Sequence, residues 1–152
     1  MVVRPAEIGR IRTFIPDDLT DITELSNRTL TEYYTPDIIY DIYRAWPESI
    51  SVYVAGKRIV GFIAGAKYTR TEGRILLLAV EREYRTMGIG SALMEHFFEI
   101  CRKNSLLSIR LEVKSDNAEA IRFYRRYGFS VTHTMPGYYS DMSDALLMWR
   151  ML

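Results

Sequence analysis

The sequence predicts a mixed α/β domain, and two observations support that prediction. Strand-like and helix-like patterns follow one another along the chain in the order β-α-α-β-β-β-α-β-α-β-β. Residues 75–80 (ILLLAV) are apolar on both faces of the strand they would form, as expected for a strand at the centre of a sheet. Because 152 residues suit one core, we expect residues 1–152 to form a single domain.

The N-terminal half predicts a strand, two helices and a hairpin. A strand over residues 8–14 precedes a helix that opens at Pro16 and carries Leu19, Ile22, Leu25 and Leu30 on one face. Thr35-Pro36 is typical of an N-cap and first residue of a short second helix, which must end at Trp46-Pro47. Residues 50–54 and 59–68 are strand-like and are joined by a hairpin signal at residues 55–58.

The C-terminal half alternates strands with helices. A strand over residues 74–80 precedes a long helix that begins after Gly88, and a strand over residues 107–113 precedes a shorter helix. Asp116 and Glu119 have the spacing of a capping box at the start of that shorter helix, and Gly128 is suited to a left-handed cap at its end. Residues 129–135 and 145–151 complete the sheet.

The bulk composition argues against several classes of protein. A formal net charge of +1 argues against non-specific nucleic-acid binding. Cys101 is the only cysteine and the two histidines are distant in sequence, so we expect no disulfide within the chain and no metal site. We expect no signal segment, no membrane-spanning helix and a cytoplasmic location.

Two glycines stand where the central strand gives way to the long helix. Gly88 and Gly90 let a ligand approach the backbone at a helix N-terminus, where unpaired N–H groups and the helix dipole favour an anion such as pyrophosphate. Arg85 can add a charge-assisted hydrogen bond. A P-loop would need Gly-Lys-Ser/Thr, and a dinucleotide-binding strand would turn almost directly into a glycine triplet, so neither matches. Relief of crowding at the helix entrance is the alternative interpretation of the glycines.

Two motifs together resemble the Gcn5-related N-acetyltransferase (GNAT) superfamily. Arg85-x-x-Gly88-x-Gly90 is similar to its pyrophosphate loop, Arg/Gln-x-x-Gly-x-Gly/Ala. Its second core motif is similar to Leu111-Glu112-Val113 with Asn117, Ala120, Tyr124 and Gly128-Phe129. The resemblance implies the GNAT fold: one mixed, mostly antiparallel sheet of about six or seven strands, with a V-shaped splay and about four flanking helices.

The same resemblance implies acetyl-coenzyme A (acetyl-CoA) as the cofactor. The pantetheine arm would enter the V-shaped cleft and pair with main-chain groups near Leu78, Ala79 and Val80. Asn117 and Tyr124 would lie along that arm. The pyrophosphate would be bound by the loop and helix start made of Arg85, Thr86, Met87, Gly88, Ile89, Gly90 and Ser91.

Acetyl transfer to an amine requires a neutral nucleophile, a stabilised oxyanion and a proton for the leaving thiolate. We expect direct attack in a ternary complex, with a backbone N–H near Val80 holding the oxyanion. Tyr124 is the candidate general acid, and a core tyrosine is the alternative interpretation. Glu112 is a candidate base, unless it is a solvated strand residue paired with Arg110 or Lys114.

A second candidate base is Glu32. Residues 30–34 (LTEYY) resemble the Leu-Pro-Glu-Asn-Tyr segment of the catalytic subunits of N-terminal acetyltransferases, with a threonine in place of the proline. Residues 137–141 and 144–146 resemble the Tyr-Tyr loop and the Asp-Ala strand of those enzymes, including the ribosomal-protein alanine acetyltransferases. The resemblance implies that the acceptor is bound by Leu30, Glu32, Tyr33, Tyr34, Tyr138 and Tyr139.

We therefore expect the acceptor to be the α-amine of a protein or peptide N-terminus. An α-amine has a pKa of about 8 and a lysine about 10.4, so a modest carboxylate base suits the α-amine better. Other interpretations stay open: acetylation of a small-molecule amine or of a protein lysine, or a non-catalytic acetyl-CoA sensor or subunit. The sequence does not indicate an auxiliary subunit or a homo-oligomer.

Overall fold

Seven strands form one mixed sheet, and four α-helices pack on its faces, within the residues that the computed structural model describes (9–30 and 32–152). The elements follow the predicted order. They are β1 Arg10–Thr13, α1 Leu19–Thr29, α2 Pro36–Ala45, β2 Ser51–Ala55, β3 Arg58–Lys67, β4 Glu72–Val80, α3 Ile89–Lys103, β5 Ser108–Lys114, α4 Ala118–Arg126, β6 Ser130–Met135 and β7 Ala145–Met151.

Most predicted boundaries are confirmed to within a few residues. Thr35 caps α2, where its side chain accepts a hydrogen bond from the N–H of Ile38, and α2 ends before Trp46-Pro47 as expected. The predicted start of the first strand at Ile8 lies outside the described residues. Within the described part of the chain, no helix combines the length and the apolar character that crossing a bilayer requires.

The predicted capping box of α4 is wrong. Asn117, and not Asp116, is the N-cap, and its Oδ1 accepts from the N–H of Ala120 at 3.1 Å. The turn that leaves β5 determines this choice, because the N–H of Asn117 already bonds to the carbonyl of Lys114 at 3.0 Å. Gly128, with φ of +85°, confirms the expected left-handed conformation after the helix.

Strand β4 lies at the centre of the sheet, as its apolar run predicts. The strand order is β1-β2-β3-β4-β5-β7-β6, with β4 and β5 parallel and the other neighbours antiparallel. Pairing between β4 and β5 runs only from Glu72–Ser108 to Ile75–Leu111, although both strands continue. The two strands therefore diverge beyond Ile75, which produces the V-shaped splay that the resemblance implies.

Two hydrophobic clusters cover the two faces of the sheet. One cluster packs α3 against the sheet and includes Leu93, Phe97 and Leu111. The other packs α1 and α2 against the opposite face and includes Ile22, Leu25 and Ile39. A register shift between β3 and β4 leaves Leu76 without a partner, so that Ile75 belongs to the first cluster and Leu77 to the second.

A buried carboxylate ties the end of β4 to α1 and to the β2–β3 hairpin. The Glu81 side chain is 7% exposed, and its Oε2 accepts from Nη2 of Arg28 at 2.7 Å and from Nη2 of Arg58 at 3.0 Å. Residues 29 and 30, directly after Arg28, line the cavity described below. The Glu81 pairs thus fix the position of the α1 C-terminus relative to the end of the central strand.

Replacing Glu81 by glutamine is expected to lower the free energy of unfolding by about 2 kcal/mol, because hydrogen bonds to a buried charge are lost. The neighbouring Glu83 offers a matched control, since it makes only an exposed 3.7 Å contact with Arg58. Glu83→Gln should change stability by less than about 0.5 kcal/mol. Urea unfolding measures both values, and equal losses would contradict the role of Glu81.

Candidate active site

A cavity of about 870 Å³ opens where β4 leaves β5. Its walls come from the end of β4, the loop and helix start after it, the end of α1 and one side of α4. The predicted site residues that line it are Leu30, Leu78, Ala79, Val80, Arg85, Thr86, Gly88, Ile89, Gly90, Ser91, Asn117 and Tyr124. Met87 is the one predicted cofactor residue that does not, since its side chain packs against the core under α3.

The geometry of the two glycines suits a pyrophosphate. Gly88 is the N-cap of α3 with φ of +81°, and an added Cβ there would meet nothing within 4 Å. No side chain caps the helix, so the first N–H groups of α3 have no side-chain partner, and Ile89, Gly90 and Ser91 line the cavity. At Gly90 an added Cβ would touch the Phe123 ring at 3.5 Å. Gly88 and Gly90 both line the cavity, and binding of a pyrophosphate beside them stays a prediction.

Arg85 and Asn117 keep donors available at the cavity. The Nε of Arg85 donates to the carbonyl of Val80 at 3.2 Å, which holds the loop against the end of β4. The two Nη groups of Arg85 take no part in this bond and remain as donors. Because Oδ1 of Asn117 serves as the cap of α4, its amide nitrogen is the side-chain donor that remains. The remaining donors of Arg85 and Asn117 suit a ligand that carries phosphate and amide oxygens.

Tyr124 lines the same cavity from α4 and packs between Phe123 and Phe129, at ring-centroid distances of 5.4 Å and 5.9 Å. Burial raises the pKa of Tyr124 to about 12. Its phenol therefore holds its proton throughout the neutral range and can donate a hydrogen bond. The predicted role of Tyr124 beside a leaving thiolate requires this protonation state, and the role itself stays a prediction.

Glu112 lies on the sheet face opposite α3 and is not among the residues that line the cavity. Its side chain is 7% exposed; Oε2 accepts from Nε of Arg74 at 3.0 Å and Oε1 accepts from Nη2 of Arg110 at 3.4 Å. The alternative interpretation of Glu112 as a solvated residue is therefore wrong, although the pairing with Arg110 exists. Lys114 instead binds Asp141 at 2.7 Å.

Two loops meet beside Glu112 and Lys114. The Glu32 carboxylate of the α1–α2 loop accepts from the N–H of Ser140 at 3.1 Å and from its hydroxyl at 2.8 Å, which joins this loop to the β6–β7 loop. The phenol rings of Tyr138 and Tyr139 lie 5.2 Å apart at a right angle. Burial, then Tyr138, Glu112, Tyr34 and Glu32 in that order, raise the pKa of Tyr139, so these groups form one cluster.

The two neighbouring tyrosines of the α1–α2 loop have different surroundings. Asn27 binds both backbone groups of Tyr34 at 2.8 Å, and burial followed by Glu32 and Tyr138 raises the pKa of the Tyr34 phenol. Tyr33 is 75% exposed and lines a smaller hollow beside α1 with Asn27 and Pro36. The fold thus brings Tyr34, Glu32, Tyr138 and Tyr139 together and leaves Tyr33 apart.

Several site residues were not found from the sequence. Phe123 and Arg126 of α4, and Tyr127 directly after it, line the cavity with Tyr124. The three-residue spacing from Tyr124 was the signal that could have found Tyr127. Arg74 binds both Glu112 and the phenol oxygen of Tyr138, each at 3.0 Å. The only sequence feature that could have drawn attention to Arg74 is its charge at the start of the otherwise apolar strand predicted over residues 74–80.

Comparison with known proteins identifies the family. Residues 19–129 match the sequence model of the Acetyltransferase (GNAT) family. This chain belongs to that family. As a GNAT acetyltransferase it is an acyltransferase that uses acetyl-CoA, and Gly88 and Gly90 of the predicted pyrophosphate loop line the cavity.

Three relatives define the similarity within the GNAT family. N-alpha-acetyltransferase 30 of Schizosaccharomyces pombe is 30% identical over 131 residues, which are 84% of this chain and 87% of the relative. The crystal structure of Ard1 from Thermoplasma volcanium is 52% identical, with a TM-score of 0.93 over 95% of this chain and 98% of that one. Arabidopsis thaliana Naa50, in complex with the bisubstrate analogue CoA-Ac-MVNAL, is 26% identical, with a TM-score of 0.83 over 93% and 97% of the two chains.

Proposed function

We propose that this acetyltransferase transfers the acetyl group of acetyl-CoA to the α-amine of protein or peptide N-termini. The observation that carries the proposal is the pair of loops joined by Glu32 and Ser140, which bring Tyr34, Tyr138 and Tyr139 beside Glu112. Rigid aromatic and polar groups of this kind suit a short main-chain segment. The similarity to N-alpha-acetyltransferase 30 and to the peptide-analogue complex of Naa50 supports the same acceptor.

Bound acetyl-CoA supplies an activated acetyl thioester. We assign its pyrophosphate to the N–H groups at the start of α3 and to Arg85, and its pantetheine arm to the edge of β4 that β5 leaves unpaired beyond Ile75. A backbone N–H near Val80 holds the oxyanion. Tyr124 donates the hydrogen bond of its protonated phenol to the leaving sulfur.

For the acceptor amine, we assign proton removal to Glu112, directly or through a water molecule. Its carboxylate is held in place by Arg74 and Arg110. We assign Glu32 to holding the two acceptor loops together, through its contacts with the N–H and the hydroxyl of Ser140. An α-amine with a pKa near 8 needs only about 1.4 kcal/mol to lose its proton at pH 7, whereas a lysine with a pKa near 10.4 needs about 3 kcal/mol more.

The acceptor class is tested with purified chain, acetyl-CoA and a panel of short peptides that differ only in the first residue. Mass spectrometry should detect a single acetyl group on the α-amine of at least one peptide. Controls are the same peptides with a blocked α-amine and an internal lysine, and spermidine. If only the peptides with a blocked α-amine are acetylated, the proposal is contradicted and a protein lysine is the favoured acceptor. If only spermidine is acetylated, the proposal is contradicted and a small-molecule amine is favoured.

The pyrophosphate assignment is tested by Gly88→Ala, which is expected to weaken coenzyme A binding at least tenfold in calorimetry. The left-handed backbone at Gly88 also costs about 1–2 kcal/mol of stability once a Cβ is present. Gly56→Ala is a matched control, because Gly56 has φ of +62° with open space around it and lies outside the cavity. The assignment is supported if both variants lose similar stability but only Gly88→Ala loses affinity for coenzyme A. It is contradicted if the two variants bind coenzyme A equally well.

A further inference from the structure

Arg74 stands beside a second arginine at the floor of the acceptor site. Arg74 of β4 and Arg110 of β5 are partners in the parallel register, so their side chains leave the same face of the sheet. Like charges at directly opposed positions repel each other. Glu112 lies two residues beyond Arg110, and its carboxylate binds both guanidinium groups. The sheet therefore holds an Arg–Glu–Arg cluster in which Glu112 compensates the repulsion.

The contacts of Arg74 divide its guanidinium between two predicted site residues. Its Nε donates to Oε2 of Glu112 at 3.0 Å, and its Nη2 donates to the phenol oxygen of Tyr138, also at 3.0 Å. These contacts join residues that are 38 and 64 positions apart from Arg74 in the sequence. A single planar group thus fixes the carboxylate and the tyrosine loop relative to each other.

The bond between Arg74 and Tyr138 also determines where the Tyr138 proton points. An arginine has only donors, so the phenol oxygen of Tyr138 is the acceptor in this bond. The O–H of Tyr138 must then point away from Arg74. Tyr138 is 41% exposed, and its ring lies across that of Tyr139 at the acceptor loops. Its proton is thereby available to an oxygen of a ligand lying between these loops.

We propose that Arg74 is a positioning residue that fixes Tyr138 as a hydrogen-bond donor to a main-chain carbonyl of the acceptor peptide. The same guanidinium fixes the orientation of the Glu112 carboxylate. This inference rests on the proposed function, since it requires a peptide acceptor. It assigns Arg74 two separable effects: one on acceptor binding through Tyr138, and one on turnover through Glu112.

The experiment is a double-mutant cycle on peptide acetylation with Arg74→Met, Tyr138→Phe and the double variant. Each single change is expected to raise the KM for the peptide about tenfold, and the double variant should raise it little further, because both changes remove the same interaction. The affinity for acetyl-CoA, measured by calorimetry, should stay unchanged in all three. Arg70→Met is the matched control, as Arg70 is exposed in the turn before β4.

Arg74→Lys separates the effect on acceptor binding from the effect on turnover. It also replaces Arg74→Met in the test if that variant does not fold. A lysine keeps a positive charge beside Glu112 but cannot bind two partners with one planar group. We expect kcat to stay within about threefold of the unchanged chain, while the KM for the peptide remains about tenfold higher. The inference would be overturned if the KM increase of the double variant equalled the product of the two single increases. An unchanged KM for the peptide in Arg74→Lys would overturn it as well. If the unchanged chain acetylates no peptide, the proposed function fails instead.

Discussion

Replacement of Tyr124 by phenylalanine is expected to lower kcat about a hundredfold, the usual range for loss of a positioned proton donor. The change removes one hydroxyl from the wall of the cavity and leaves the contacts of the ring with Phe123 and Phe129. Because burial keeps this phenol protonated well above neutral pH, its contribution should be constant across the neutral range. Steady-state kinetics at several pH values from 6 to 8.5 measure kcat and the KM for each substrate.

Binding of acetyl-CoA provides the internal control for Tyr124. Its affinity for the Tyr124→Phe variant should stay within about threefold of the unchanged chain, since the other residues that we assign to acetyl-CoA binding are unaltered. Tyr40→Phe removes the same hydroxyl from an exposed residue of α2 and should change neither quantity. An unchanged kcat in Tyr124→Phe would make Tyr124 a packing residue only.

Replacement of Glu112 by glutamine is expected to reduce kcat/KM for a peptide about a hundredfold at pH 7. The amide keeps the shape of the side chain and removes the carboxylate to which we assign the amine proton. The loss should shrink as the pH rises past about 8, because the α-amine is then already neutral and needs no base. The pH profile of kcat/KM for both forms measures this difference.

Two controls distinguish a base from a structural carboxylate at position 112. Glu99→Gln changes an exposed residue of α3 and should leave the profile unaltered. Glu32→Gln weakens the contacts with Ser140, so we expect a higher KM for the peptide and little change in kcat. If Glu112→Gln lowers kcat/KM equally at pH 7 and pH 9, Glu112 is not a base and serves only to hold Arg74 and Arg110 in place. A pH-dependent loss in Glu32→Gln would make Glu32 the base.

Local patterns were sufficient to predict the elements of this chain. The apolar runs and turn residues gave the element order and the central place of β4, since burial periodicity depends on residues close in sequence. The cap of α4 was predicted wrongly by one residue. Asp116 and Asn117 are both competent caps, and the hydrogen bonds of the turn after β5, including that from the N–H of Ser115 to the carbonyl of Asp144 at 3.0 Å, decide between them.

The sequence by itself determined the family and the cofactor, because the glycine loop and the second core motif each act over a short stretch of chain. It also predicted much of the lining of the cavity, but not Phe123, Arg126 or Tyr127. Only the tertiary structure decided which acceptor-side residues come together. Glu32 meets Ser140 across 108 positions, Arg74 joins Glu112 to Tyr138, and Tyr33 lines the separate hollow beside α1. Such partners depend on strand register and loop packing, and neither leaves a periodic signal in a single sequence.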